Sequence, residues 1–438
     1  MKHTIHKMIL LPVLTVLLVS CHFRDDDYVD FSAIEQAQGL DFRVMSQRET
    51  DLSHGLPEDC YLPQQVAASD GQQVASRQTS STTGAHILQE MLKWGNQNRV
   101  TEIVGTYTSV DLKTGDRLRL SGKVMLPTGR RPKRLILVSH YTVCSNAEAP
   151  SNCFSLEGIL VKLGYGLIIP DYWGYGVTAN DIHPYLVMDQ TAVNVLDMFL
   201  SVRKWLKAVG MAPEKDDIYL MGYSQGAANT MAVQYWIESF FSYPDDEEYI
   251  NIHRVFVGGG PYDVKSTYES YVNTDHIGYP VAVPLVLQGM ILGNDLSVSL
   301  TDMMQDWLCS RMDEWVNSKQ YTSAQINALI DTHVTHRILT EEAMQQTSEK
   351  VAELYKAMTI NSIVSYNWTP KASVYMMHSI DDETVSYLNA VNAKSKWKDA
   401  NIIYNFGHYG GHVQCAMRFI YTVQTLIQEE EKEMQKYE

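Results

Sequence analysis

One serine of this chain lies between two glycines in the pattern G-x-S-x-G. The motif runs from Gly222 to Gly226, with Ser224 at its centre. An apolar run at 218–221 precedes it, and a helical pattern at 226–241 follows it. On such a strand-to-helix turn the serine backbone is strained, and the turn presents the hydroxyl at the end of the strand. The flanking glycines have no Cβ and so avoid clashes with the neighbouring backbone. The sequence therefore predicts Ser224 as a nucleophile.

A serine hydroxyl needs a base, which is usually a histidine oriented by a carboxylate. On this turn type the acid and then the histidine follow the serine along the chain. The acid is expected after an apolar run at 373–377. Asp382 fits the H-G-x-x-D-x-x-V pattern there, and Asp381 and Glu383 are the alternatives.

The base is expected in the glycine-containing segment 407–412, between the last apolar run and the last helical pattern. His412 stands directly before that helical pattern and is the favoured base. His408 is the alternative. His140 precedes the serine along the chain, so it is expected to be a packed or capping histidine.

An acyl-transfer site also needs two N–H donors for the oxyanion. The backbone N–H of Gln225, at the start of the helix, is the first candidate. The second should follow the apolar run at 134–139, where Tyr141 and Thr142 are the candidates.

These residues must be positioned by a largely parallel sheet. Residues 102–110 and 117–125 alternate like antiparallel strands, and shorter apolar runs of the buried kind follow. The short runs are 134–139, 166–170, 218–221, 255–257, 373–377 and 402–406, and helical patterns cover 86–94, 156–163, 190–209 and 226–241. This alternation predicts an α/β fold with a mostly parallel central sheet flanked by helices.

A long helical insertion interrupts the alternation at 262–370. It contains helical stretches at 298–316, 323–330 and 341–359, and is expected to form a cap. The core would then consist of 86–261 and 371–438. The charged end, 429–438, is expected to be a solvated helix end.

The N-terminus has the features of an export signal. Two lysines precede an apolar run at 8–19 that is too short to span a bilayer. The order Leu17-Leu18-Val19-Ser20-Cys21 resembles a bacterial lipobox, which implies a signal peptide at 1–21 and a lipid on Cys21. Residues 22–85 are expected to be a tether and a loosely structured extension. The chain is expected to be exported and anchored by its lipid to the bacterial outer membrane.

The net charge and the cysteine spacing argue against a nucleic-acid-binding protein and against a metal site. The net charge of −16 argues against nucleic acid as a partner. Five cysteines follow Cys21, so at least one thiol stays free, and Cys144 with Cys153 is the expected pair. No CxxC or zinc-finger spacing occurs, so neither a metal nor another cofactor is expected.

Four motifs together resemble the secretory-lipase type of α/β-hydrolase, the group that includes Candida lipase A-like enzymes. They are Ala149-Pro150-Ser151, the run Pro170-Asp171-Tyr172-Trp173-Gly174-Tyr175-Gly176, His183-Pro184-Tyr185-Leu186, and Gly222-Tyr223-Ser224-Gln225-Gly226. The resemblance covers roughly 100–425 and implies lipase, esterase or acyl-transfer chemistry under a helical cap. It also implies structural roles for Asp171 and His183. Ser379 and Ser386 depart from the usual glycine and proline.

The leading hypothesis is a serine esterase or lipase that acts on a small-molecule or lipid ester. A serine peptidase of the prolyl-oligopeptidase type shares the same serine motif. A non-catalytic surface lipoprotein that binds a ligand through aromatic side chains is the third hypothesis.

Overall fold

The computed structural model describes residues 40–60, 86–244, 248–345, 348–434 and 436. The signal sequence 1–21, Cys21 and most of 22–85 lie outside the described residues. The strands are β1 (Arg43–Asp51), β2 (Arg99–Val110), β3 (Arg117–Pro127), β4 (Leu135–Ser139), β5 (Gly166–Pro170), β6 (Ile218–Tyr223), β7 (Ile252–Gly258), β8 (Val374–Ser379) and β9 (Ile402–Gly407).

These strands form a single sheet in the order β1-β2-β3-β5-β4-β6-β7-β8-β9. The pairs from β1 to β5 are antiparallel, and those from β5 through β4 to β9 are parallel. β4, β5, β6 and β8 are buried along their whole length, which explains their continuous apolar runs. The carboxyl ends of the parallel strands therefore share one edge, where an α/β sheet binds its ligands.

Helices cover both faces of the sheet and also form the segment between β7 and β8. They are α1 (86–93), α2 (Met188–Ala208), α3 (Gln225–Phe240), α4 (Val264–Thr274), α5 (Ala282–Gly293), α6 (Leu300–Met303), α7 (Asp306–Cys309), α8 (Ser323–Ile330), α9 (Thr335–Ile338), α10 (Glu341–Met344), α11 (Glu349–Ile360), α12 (Leu388–Lys396) and α13 (His412–Met434). Short 3₁₀ segments cover Asn146–Glu148, Leu156–Leu163, Gly176–Thr178 and Ile363–Ser365, and Met312–Asn317 is a π-helix.

The core divides into two apolar clusters, one on each face. Along β6, Ile218 and Leu220 pack with α2 and α3, whereas Tyr219 and Met221 pack with α13 and the 3₁₀ segment Leu156–Leu163. This alternation follows from the two-residue period of a strand.

The segment between β7 and β8 is helical. The predicted stretch 323–330 is confirmed as α8, whereas the other two stretches are divided into shorter helices. The stretch 298–316 divides because Met304 is extended and pairs with Leu339 in an isolated bridge. The stretch 341–359 divides because Gln345 and Ser348 are also extended. The first break depends on a tertiary contact that helical periodicity does not encode.

Part of the predicted loose extension is a strand. Residues Arg43–Asp51 form β1, which pairs antiparallel with β2 at the edge of the sheet. The buried side chains of Phe42 and Leu52 fix its two ends. Few apolar residues lie between them, so periodicity gave no strand signal.

The charged C-terminal end is not simply solvated. Glu431 accepts hydrogen bonds from Lys133 Nζ and Tyr165 Oη at 2.8 and 2.7 Å. Glu430 pairs with Arg254 and accepts a 2.7 Å hydrogen bond from Tyr219 Oη. These carboxylates fasten α13 to the amino-terminal edge of the parallel strands, so the prediction for this segment was wrong in part.

The expected Cys144–Cys153 disulfide is also wrong, because both thiols are free in the structure. Cys144 packs in the cluster with α2 and α3, whereas Cys153 is buried and directly precedes Phe154, a member of the opposite cluster. The Sγ of Cys153 donates to the Glu148 and Ala149 carbonyls instead.

Candidate active site

Ser224 occupies the tight turn between β6 and α3. Its φ of 57° and ψ of −127° lie in a region that non-glycine residues rarely adopt, and such strain is concentrated at functional sites. The flanking glycines are required by close backbone approach. A Cβ on Gly222 would lie 2.2 Å from the Gly226 oxygen, and one on Gly226 would lie 2.0 Å from the Ser139 oxygen.

The side chains of Ser224, His412 and Asp382 form one chain of hydrogen bonds. His412 Nε2 lies 2.8 Å from Ser224 Oγ, and His412 Nδ1 lies 2.6 Å from Asp382 Oδ2. All three residues are buried, although they come from turns far apart in the sequence. The structure thus brings together the predicted nucleophile, acid and base.

Asp382 is held as a carboxylate by its surroundings. Burial alone would raise its pKa, but the His412 imidazole and the Val385 N–H hold the pKa below the ordinary value of 3.8. Its Oδ1 accepts hydrogen bonds from the backbone N–H groups of Thr384 and Val385, at 2.9 and 2.8 Å. The second oxygen is therefore left to accept from His412 Nδ1.

His412 is the first residue of α13. Burial would lower its pKa, but the Asp382 carboxylate outweighs burial and raises the pKa above the ordinary 6.5. Tyr223 Oη donates to the His412 carbonyl at 2.7 Å, which fixes the backbone that carries the imidazole. The imidazole is thus placed to accept a proton from Ser224, and its raised pKa favours the protonated ring that results.

The alternative acid and base pair with each other outside the site. His408 Nδ1 lies 2.8 Å from Asp381 Oδ1, and their side chains are 72% and 43% exposed. Glu383 is exposed as well. None of the three has a recorded hydrogen bond to Ser224 in the described part of the chain.

The candidate oxyanion residues lie on two sides of Ser224. Tyr141, Thr142 and Ser224 line the same cavity, and Gln225 follows the serine at the start of α3. Within the described ranges, no hydrogen-bond acceptor is recorded for the backbone N–H of Gln225 or of Thr142. These two groups are therefore available to bind an oxyanion.

His140 lies beneath this loop and does not contact Ser224. Its Nδ1 lies 2.6 Å from the Tyr141 oxygen and its Nε2 lies 3.2 Å from the Asp171 oxygen. Its ring stacks on that of Tyr172, and burial lowers its pKa. It is a packed histidine, as the sequence predicts.

A cavity opens above Ser224 between the core and the cap. Together with its open mouth it encloses about 1020 Å³. The cap side includes Val264, Val283 and Val286. The tyrosines that line it are Tyr141, Tyr185, Tyr223, Tyr268, Tyr271 and Tyr279. No Asp, Glu, Lys or Arg is among the described lining residues, so the cavity suits an uncharged, mainly apolar group.

Sequence reasoning missed one neighbour of the acid. His378 on β8 is fully buried, with Nε2 at 3.0 Å from the Val385 oxygen and 3.6 Å from Asp382 Oδ2. Burial lowers its pKa, so it is a neutral donor that supports the turn around Asp382. His378 is the first residue of the H-G-x-x-D-x-x-V pattern, so the pattern that predicts the aspartate also contains this histidine.

Metal-ligating side chains are not clustered in the described ranges, where no three His, Cys, Asp or Glu residues come together as a possible metal site. In the described part of the chain, no helix combines the length and apolar composition needed to cross a bilayer.

The sheet order, the flanking helices and the serine turn define an α/β-hydrolase fold. Residues 149–417 match the family model described as secretory lipase, and the chain belongs to that family. Membership of this family supports a hydrolase that acts on esters and is in keeping with export. A sequence search of curated proteins finds no match.

Solved structures of two other proteins share this fold. The rice cell wall degrading esterase LipA from Xanthomonas oryzae superposes with a TM-score of 0.63 at 18% identity, over 78% of this chain and 92% of that one. Candida antarctica lipase A gives a TM-score of 0.53 at 18% identity, over 72% of this chain and 73% of that one.

Proposed function

We propose that this protein is a serine hydrolase that cleaves carboxylic esters through an acyl-enzyme intermediate. The observation that carries the proposal is the continuous hydrogen-bond chain from Ser224 through His412 to Asp382, at 2.8 and 2.6 Å. It opens into an uncharged cavity, as an ester substrate requires.

In the first step Ser224 Oγ attacks the ester carbonyl while His412 Nε2 takes the hydroxyl proton. Asp382 holds the imidazole in the required tautomer and stabilises the imidazolium. The N–H groups of Gln225 and of Thr142 or Tyr141 bind the oxyanion. Each such donor contributes about 3 kcal/mol to lowering the barrier.

Collapse of the tetrahedral intermediate breaks the C–O bond to the alcohol, which receives the proton from His412. Water then attacks the acyl-serine with His412 again acting as base, and the acid leaves. The apolar lining of the cavity favours an ester with an uncharged, apolar acyl or alcohol group.

The test compares the native protein with Ser224→Ala on p-nitrophenyl esters of increasing chain length and with a fluorophosphonate probe. We expect the native protein to turn over esters and to be labelled on Ser224. The variant should lose about 10⁶-fold in kcat at an unchanged melting temperature.

Turnover that survives in Ser224→Ala would contradict the proposal. Faster cleavage of aminoacyl-nitroanilides than of esters would support a peptidase instead. Native protein that neither reacts with the probe nor cleaves any ester would support the non-catalytic binding protein.

We also propose that residues 1–21 are a lipoprotein signal peptide and that Cys21 carries the lipid, which anchors the enzyme to the bacterial outer membrane. The lipobox order at 17–21 supports this proposal. Residues 22–85 would connect the anchor to a core of 86–261 and 371–438, with 262–370 as the cap. Radiolabelled palmitate should enter the native protein but not Cys21→Ser, and labelling of both would contradict it.

A further inference from the structure

The segment His183-Pro184-Tyr185 contacts both sides of the candidate oxyanion site. It precedes α2 and is far in sequence from the residues that it contacts. Both rings are buried, and neither side chain contacts Ser224 or His412 by a recorded hydrogen bond in the described residues. Their partners include two of the residues that carry candidate oxyanion donors, Gln225 and Thr142.

His183 fixes the side chain of Gln225. Its Nδ1 donates to the Trp173 carbonyl at 2.8 Å, and its Nε2 accepts from Gln225 Nε2 at 2.9 Å. This pattern requires a neutral ring with its proton on Nδ1. Burial, followed by the nearby Lys319 ammonium, lowers the pKa of His183 to about 3, so the ring stays neutral over the working pH range.

Tyr185 fixes the side chain of Thr142 on the opposite side of the serine. Its Oη lies 2.8 Å from Thr142 Oγ1, and both residues line the cavity. Helix α5 of the cap packs on the Tyr185 backbone at Gly289. The Tyr185 N–H also bonds the His183 carbonyl at 2.8 Å, so the two rings are held on one compact turn.

We propose that His183 and Tyr185 are positioning residues that set the separation of the two oxyanion donors, the N–H groups of Gln225 and Thr142. The inference rests on the proposed function of Ser224. An oxyanion site acts only when its donors are fixed before the charge develops, so a loosened donor weakens transition-state binding more than substrate binding.

A purely structural role makes a different prediction. Removing a buried tyrosine hydroxyl leaves its hydrogen-bond partner unpaired and lowers stability wherever the tyrosine lies. Tyr165 provides the matched control, because it is buried, its Oη donates to Glu431 at 2.7 Å, and it lies at the opposite edge of the sheet. Tyr185→Phe and Tyr165→Phe therefore lose the same chemical group in different places.

The experiment measures kcat, KM and the melting temperature, together with the affinity of an alkyl boronic acid, which forms a tetrahedral adduct with a serine. For Tyr185→Phe we expect kcat to fall about tenfold, KM to stay within twofold, and boronate affinity to fall in proportion to kcat. For Tyr165→Phe we expect unchanged kinetics with a similar loss of melting temperature. His183→Gln, whose amide can still accept from Gln225, should keep more activity than His183→Leu.

A double-mutant cycle of Tyr185→Phe with Thr142→Val should be non-additive, because both changes break the same hydrogen bond. The inference is overturned if Tyr185→Phe and His183→Leu lose only stability, or if their losses of kcat leave boronate affinity unchanged. Loss of all turnover in Ser224→Ala with unaltered Tyr185→Phe kinetics would overturn this inference alone. Turnover that survives in Ser224→Ala would overturn the proposed function itself.

Discussion

The loops after β8 and β9 produce two histidine–aspartate pairs with opposite surroundings. Asp382 and His412 are buried, and their hydrogen bond of 2.6 Å continues to Ser224. Asp381 and His408 form a hydrogen bond of 2.8 Å in solvent, and no hydrogen bond from this pair to Ser224 is recorded in the described residues. A histidine and an aspartate thus form a hydrogen-bonded pair in either setting, and the residue types alone do not identify the proposed catalytic pair. Burial and the position of a nucleophile distinguish the two pairs.

Replacing the two histidines should give the largest difference in kcat between the buried pair and the exposed pair. Replacing His412 by Ala removes the proposed base and should lower kcat by about 10⁶-fold. His408→Ala removes only a solvent-exposed partner and should leave kcat within twofold. Steady-state hydrolysis of a p-nitrophenyl ester by both variants measures this, and a comparable loss in His408→Ala would mean that the bases were assigned wrongly.

Replacing the two aspartates should again lower kcat more at the buried pair than at the exposed pair, but by a smaller factor. Asp382→Asn keeps the shape of the side chain but favours the wrong histidine tautomer, so kcat should fall about 10⁴-fold. Asp381→Asn should stay within twofold. The assay is the same, with circular dichroism to show that both variants are folded. Near-native turnover by Asp382→Asn would remove Asp382 from the mechanism.

The pH profile should depend on the buried pair alone. His412 accepts a proton only when it is neutral, and Asp382 raises its pKa above 6.5. The value of kcat/KM should therefore rise with pH through a midpoint above 6.5 and be lost on the acid side. His408→Ala should leave this midpoint unchanged, and a shifted midpoint in that variant would show that the two pairs are coupled.

The smallest expected effect concerns the stability of the exposed pair. Solvent screens Asp381 and His408, so the double variant Asp381→Asn/His408→Gln should change the free energy of unfolding by about 0.5 kcal/mol or less. Urea titration followed by tryptophan fluorescence measures this value. A loss of several kcal/mol would mean that the exposed pair stabilises the loop that carries the buried one.

The sequence was sufficient to predict that Ser224, Asp382 and His412 lie together, because each follows a strand with a strong apolar signal. The glycine turn and the chain order Ser–Asp–His are local or one-dimensional features, so a single sequence displays them. The parallel sheet was predictable for the same reason, since its fully buried strands stand out as short apolar runs.

What the sequence could not show depends on contacts between distant residues. Strand β1 is mostly polar and exists because β2 offers an edge. The cap helices break where Met304 pairs with Leu339. The roles of His183 and Tyr185 depend on partners more than 40 residues away, at Gln225 and Thr142. The periodicity of apolar residues along the chain does not predict such contacts.

Helix α13 joins the two edges of the sheet in one continuous rod. His412 is its first residue, and the anchoring Glu430 lies 18 positions later, which corresponds to about 27 Å at the rise of an α-helix. A rod that is fixed at its far end limits tilting at its near end. Carboxylates at the far end of the helix thus help to hold the His412 imidazole in its orientation. Truncating α13 or fusing another chain to it is therefore expected to affect the proposed active site.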